Sequence, residues 1–169
     1  MILAFPTCNA LIAVVAACVF SGCASADDAG YDRVLPFDTA RVRVVAGPDT
    51  VVFTVELART AEQRTLGLME RRSMPDSAGM LFLYAADQPP SAGFWMYRTR
   101  IPLDIAFVDS TGVVVDTKRM SPCEATLPAG CPTYDPGVAY RAALEVNAGV
   151  FERHGIARGA RLLLADTVN

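Results

Sequence analysis

From Val42 onward the chain is cut into short apolar runs by glycine, proline and aspartate, and this punctuation decides the fold class. Val42–Val45 and Val51–Leu57 are rich in β-branched residues that alternate with polar ones, the period of a half-buried strand. Gly47-Pro48-Asp49 between them is a turn signal and predicts a hairpin. Met80–Tyr84, Gly93–Arg98, Leu103–Asp109, Val113–Arg119, Arg141–Val146 and Arg161–Asp166 read as further strands. Asp109-Ser110-Thr111-Gly112 is a tight turn between two of them, and Pro75–Gly79 and Asp87–Gly93 are loops. Two short helices fit. Thr60-Ala61-Glu62-Gln63 is a capping-box pattern that starts one, running to about Gly67 with Leu66 and Met69 toward the core. The other is Val150–His154, stopped by Gly155. About eight close-spaced strands predict a mainly β fold, a compact antiparallel sandwich or barrel. Without long helices between the strands, a parallel α/β sheet is disfavoured.

The amino terminus sets the expected compartment. Residues 1–26 carry no charged side chain, and Leu11–Phe20 is an apolar run of signal-peptide length. A bilayer span needs roughly 20 apolar residues, and Pro6 and Asn9 interrupt this one. An export signal is expected over residues 1–22, although no Lys or Arg precedes the apolar run. Phe20-Ser21-Gly22-Cys23 resembles a lipobox, which would make Cys23 a lipid anchor on the periplasmic face of the membrane. Ala24-Ser25-Ala26 fits ordinary signal peptidase and a soluble periplasmic or secreted product. Residues 23–40, with the polar stretch Asp27–Arg33, read as a tether. Residues 41–169 read as one β domain, an ordinary size for a single core.

The chain has five cysteines. Cys8 and Cys18 leave with the signal, and Cys23 is lipidated or lost. Cys123 and Cys131 remain, an even pair in an oxidising compartment, in a Pro/Gly-rich loop with little core of its own. A disulfide is expected. The net charge is −3, and Lys and Arg are scattered without a basic stripe or interleaved aromatics, which argues against nucleic-acid binding. The sole histidine, His154, sits at a helix end, where a cation complements the dipole, and no second histidine exists to build a His-based metal site. No Gly-x-Ser-x-Gly or phosphate-binding glycine loop occurs.

The motifs Gly67-Leu68-Met69-x-Arg71, Gly79-Met80-Leu81-Phe82, Phe94-Trp95-Met96-x-x-Thr99-x-x-Pro102-Leu103-Asp104-Ile105, Cys131-Pro132-x-Tyr134, Leu144-Glu145-x-Asn147-Ala148-Gly149 and His154-Gly155-Ile156 follow in order. Over about Val51 to Leu164 the chain resembles the bacterial and archaeal family known as domain of unknown function 192. The resemblance implies export and a compact jelly-roll-like β fold; it implies no reaction. Three positions depart from the family's pattern: Arg98 where Asn is common, Val150 where an aromatic is common, and Ala160 where an Asp is usual.

The polar and aromatic residues of these motifs are the site candidates. Arg71, Trp95, Thr99 and Asp104 are expected to line a pocket for a small polar ligand or a partner's peptide. Trp95 reads either as a core anchor or as a pocket floor. Arg71 reads either as a salt-bridge partner of Asp104 or Glu145, or as a bidentate anion binder. Asp104 and Glu145 are the candidates if the protein is instead a hydrolase with paired carboxylates. Met69, Met80 and Met96 are soft ligands that an envelope Cu(I) site would use, although methionine more commonly fills gaps in a core. The leading expectation is an envelope-localised binding module without a cofactor.

Overall fold

The computed structural model describes residues 35–168; the signal, Cys23 and most of the tether lie outside them. In chain order the elements are β1 (Thr39–Ala46), β2 (Asp49–Ala58), α1 (Ala61–Leu66), β3 (Ala78–Gln88), β4 (Phe94–Trp95), β5 (Leu103–Val108), β6 (Val114–Met120), β7 (Thr133–Tyr134), β8 (Tyr140–Asn147), α2 (Val150–Arg153) and β9 (Arg161–Val168). A 3₁₀ turn at Pro128–Gly130 sits between β6 and β7. The domain starts slightly before residue 41, because β1 begins at Thr39 and Asp38 already pairs with Arg59.

Seven strands form one sheet in the order β6-β5-β8-β3-β2-β1-β9. β1 and β2 form the expected hairpin, with Ala46 opposite Asp49. The sheet is antiparallel except for β2 and β3, which run parallel. A parallel pair needs a crossover, and here α1 and the segment after it make that crossover. Thr60 caps α1 as its sequence predicts: its side chain accepts from the Gln63 N–H while the Gln63 side chain returns to the cap backbone. Gly67 then ends the helix at a φ of 50°, a conformation that favours glycine.

The sheet curls into a half-barrel until its edges touch. Val113 bridges Arg161, the Val114 N–H donates to the Ala160 carbonyl, and the Leu162 N–H donates to the Gly112 carbonyl. Burial at Ala160 and Val150 serves this closure and the core. Side chains from all seven strands meet inside the curl, among them Val42, Phe53, Leu81, Ala106, Val114, Leu144 and Leu162, with Val150 and Phe151 of α2. A second core lies on the other face of β3, β5 and β8, built from Met80, Phe82, Ile105, Phe107, Tyr140 and Ala143.

That outer core needs a cover. One part is Leu68 and the segment after α1, and the other is the two-stranded β4–β7 ribbon, with Phe94 opposite Tyr134 and Trp95 opposite Thr133. The Cys123–Cys131 disulfide forms as expected, closing the loop that leads into β7. Cys123 also bridges Tyr97, and the Tyr140 hydroxyl donates to the Ala92 carbonyl, so the cover is tied to the sheet at several points.

Candidate functional site

The alternation of β5 and β8 decides which motif residues meet. Ile105 lies opposite Glu145, and Asp104 lies opposite Val146. Successive strand residues point to opposite faces. Glu145 therefore shares the outer face with Ile105 and Met80, and Asp104 shares the interior face with Val146, near α2. The two carboxylates do not form a pair, which removes the geometric basis of the two-carboxylate hydrolase.

Asp104 is 3% exposed and fully engaged. Its Oδ1 accepts from Arg119 Nε at 2.9 Å, and its Oδ2 accepts from the backbone N–H groups of Gly149 at 2.7 Å and Phe151 at 3.2 Å. Helix α2 starts at a glycine, which has no side chain with which to cap it. The buried acid of β5 supplies the cap instead. Arg119 also reaches Glu152 on α2. Asp104 is thus a structural fastener, and the expectation that it lines a ligand pocket with Trp95 is corrected. Arg71 is corrected as well: its partner is Glu56 on β2, not Asp104 or Glu145, and the pair is half-buried.

Glu145 has a different environment. It is 4% exposed and has no hydrogen-bond partner among the described residues. Burial alone pushes its carboxyl up to about 8, because the charged form loses its hydration without gaining a compensating charge or donor. Its side of the sheet opens into a cavity of about 350 Å³. Phe82 and Tyr84 of β3, Phe94 and Trp95 of β4, Thr99, Leu66 at the end of α1 and Gly67 to Met69 after it line this cavity. Trp95, expected either as core anchor or pocket floor, is 44% exposed and stands in the wall. Thr99 is buried there. Phe82 and Phe94 pack edge to face with centroids 4.9 Å apart. At the rim, the Arg64 guanidinium lies 4.8 Å over the Tyr84 ring, and its Nη1 donates to the carbonyls of Arg59 and Leu83.

Of the expected site residues, the fold brings Trp95, Thr99 and Glu145 together and sends Arg71 and Asp104 elsewhere. Arg64, Phe82 and Tyr84 join the site without having been singled out. Their only sequence signal is placement: Arg64 falls in a capped helix and the two aromatics in a motif strand. Of the three methionines, Met80 and Met96 are fully buried in the outer core and Met69 lines the cavity. Among the described residues no cluster of three or more His, Cys, Asp or Glu is placed to hold a metal. A second cavity nearby, of about 510 Å³ and lined by Glu70, Arg98, Thr99, Arg100 and the disulfide loop, has its Glu70 and Arg100 charges paired with each other.

A family model, DUF192 ("Uncharacterized ACR"), matches residues 43–164. The chain belongs to the DUF192 family. Two solved structures of similar sequence share the fold. A proposed transcription regulator from Sinorhizobium meliloti 1021 is 34% identical, with 77% of this chain and 96% of that one covered and a TM-score of 0.69. A protein of unknown function from Novosphingobium aromaticivorans DSM 12444 is 33% identical, with 78% and 89% covered and a TM-score of 0.67. No curated protein matches the chain.

The backbone of Arg98 is unusual. Its φ is 55°, in the left-handed region that asparagine tolerates better than arginine.

Proposed function

We propose that this DUF192 domain is a small-ligand binding module of the cell envelope, and that its site is the cavity over Glu145. One observation carries the reading: a buried carboxyl without a partner sits at an open cavity walled by aromatic rings. The Glu145 oxygens are not among the enclosed, unsatisfied side-chain atoms of the described residues; they face the cavity, where a ligand can supply the partner that buried polar groups usually have. Largely apolar walls with a few converging polar groups are the usual make-up of small-molecule sites. The sheet and the tethered cover of one chain hold this constellation.

The envelope placement rests on the amino-terminal sequence. Residues 1–22 serve as an export signal, and Cys23 carries the lipid that holds the domain on the periplasmic face. A Cys23→Ser variant that stays in the membrane fraction would contradict the anchor. The description of the Sinorhizobium relative suggests nucleic acid as a partner, but this chain's net charge of −3 gives phosphates little to bind.

Trp95 is the only tryptophan, so its fluorescence reports on the cavity directly. A panel of neutral sugars, small carboxylates and small amines should include a class that shifts this emission saturably, and Glu145→Ala should abolish the response. A ligand that binds the Glu145→Ala and Trp95→Ala variants as well as the parent would place the site elsewhere.

A further inference from the structure

We propose that the cavity over Glu145 takes a ligand bearing a compact ammonium group, with Glu145 as its counter-ion and the Phe82, Phe94 and Trp95 side chains as its wall. This inference rests on the cavity being a ligand site and names the chemistry that fits it. Among the described residues Glu145 is the only acid in the lining, and Arg64 the only base. Arg64 is held at the rim by two carbonyls and the Tyr84 ring. A carboxylate or phosphate could take one hydrogen bond from the protonated carboxyl, but the base in the lining, Arg64, is already held by two carbonyls and the Tyr84 ring. A neutral hydroxyl compound would satisfy one hydrogen bond. An ammonium group gains twice over: from the carboxylate, in surroundings of low dielectric, and from aromatic rings, whose faces attract cations.

The binding step balances as a proton exchange. In the empty cavity at neutral pH the Glu145 carboxyl holds its proton, because burial raises it to about 8. A quaternary ammonium that enters as a cation leaves a carboxylate–ammonium pair, and the carboxyl proton goes to solvent. The other titratable or charged groups facing the cavity are Arg64 from α1 and Tyr84 from β3. Burial raises the Tyr84 phenol, so it stays neutral over the relevant range. The turn after α1 and the β4 segment contribute no titratable group to the lining.

The test uses choline, a permanent cation, and its neutral isostere 3,3-dimethylbutan-1-ol, with the mature protein and Trp95 emission as the signal. The expected result is saturable choline binding at pH 9 that weakens about tenfold per pH unit below 8, with close to one proton released per choline below about pH 7 and almost none at pH 9, read by calorimetry across buffers of different ionisation enthalpy. The isostere should bind at least about tenfold more weakly. Glu145→Gln should abolish choline binding while its circular dichroism matches the parent; should that variant fail to fold, Trp95→Leu at the cavity mouth should still weaken choline several-fold. Equal binding of choline and the isostere, or no choline binding at pH 9 up to about 50 mM, overturns the inference. A saturable response to a neutral sugar or a carboxylate in place of choline overturns it too, but leaves the cavity as a ligand site. Silence from every class overturns both readings.

Discussion

Asp104 and Glu145 show how little residue type says about role when the environment is unknown. Both are buried acids on neighbouring strands. Asp104 accepts two backbone N–H groups and an arginine, whereas Glu145 faces an aromatic-walled cavity and takes no hydrogen bond from the described residues. Replacing Asp104 with Ala strands the Gly149 and Phe151 donors and frees α2 from β5. The expected loss is about 2–4 kcal/mol, read as a lower urea midpoint, with the Trp95 emission of the folded protein unchanged. A loss below about 0.5 kcal/mol, the scale of an ordinary surface substitution, would contradict the capping role. Arg98→Asn should act in the opposite direction. Relief of the left-handed backbone at Arg98 predicts a gain of about 0.5–1 kcal/mol, and a destabilised variant would show that the arginine side chain outweighs the backbone.

At the scale of elements, the sequence was most legible where the determinants are local. The β1–β2 hairpin, the Thr60 capping box and the Asp109 turn follow from adjacent residues; in that turn the Asp109 carboxylate accepts from the Thr111 and Val113 N–H groups. Gly93–Arg98, read as a strand, forms only the two-residue β4, because the segment turns at Arg98 and pairs with a short loop strand and not with the main sheet. The parallel β2–β3 pairing was not legible, since nothing local states which strand the crossover returns to. The candidate site was half legible for the same reason. Trp95, Thr99 and Glu145 stood out by type, but the face on which each lies depends on the register between β5 and β8. The disulfide belongs to this scale as well. Cys123→Ser with Cys131→Ser should cost roughly 2–3 kcal/mol by loop entropy. Part of that loss should appear as increased hydrogen exchange in β4 and β7 ahead of the main sheet. Uniform exchange across both sheets would argue that the loop does not brace the cover.

At the scale of the whole domain, the described residues form one curled seven-stranded sheet with a core on each face and the β4–β7 ribbon over one of them. The interior core is sealed by strands and α2, whereas the outer one is closed by a loop-built cover that leaves the Glu145 cavity open. Retaining an unpaired acid there costs stability, and the sign of that cost is fixed. A carboxyl raised to about 8 in the fold, against an ordinary value near 4.3 when unfolded, favours the folded state at low pH. Its contribution is complete below about pH 4, falls by up to about 1.4 kcal/mol per pH unit above that, and is gone above about pH 8. Glu145→Gln removes this dependence. Urea denaturation of the parent and of Glu145→Gln from pH 5 to pH 9 is therefore the most direct test of the buried, unpartnered acid on which the proposed site rests. The account predicts that the stability of the variant relative to the parent rises steadily with pH and levels off near pH 8. Parallel curves across that range would show that Glu145 titrates as an ordinary solvated carboxyl, and would contradict the site.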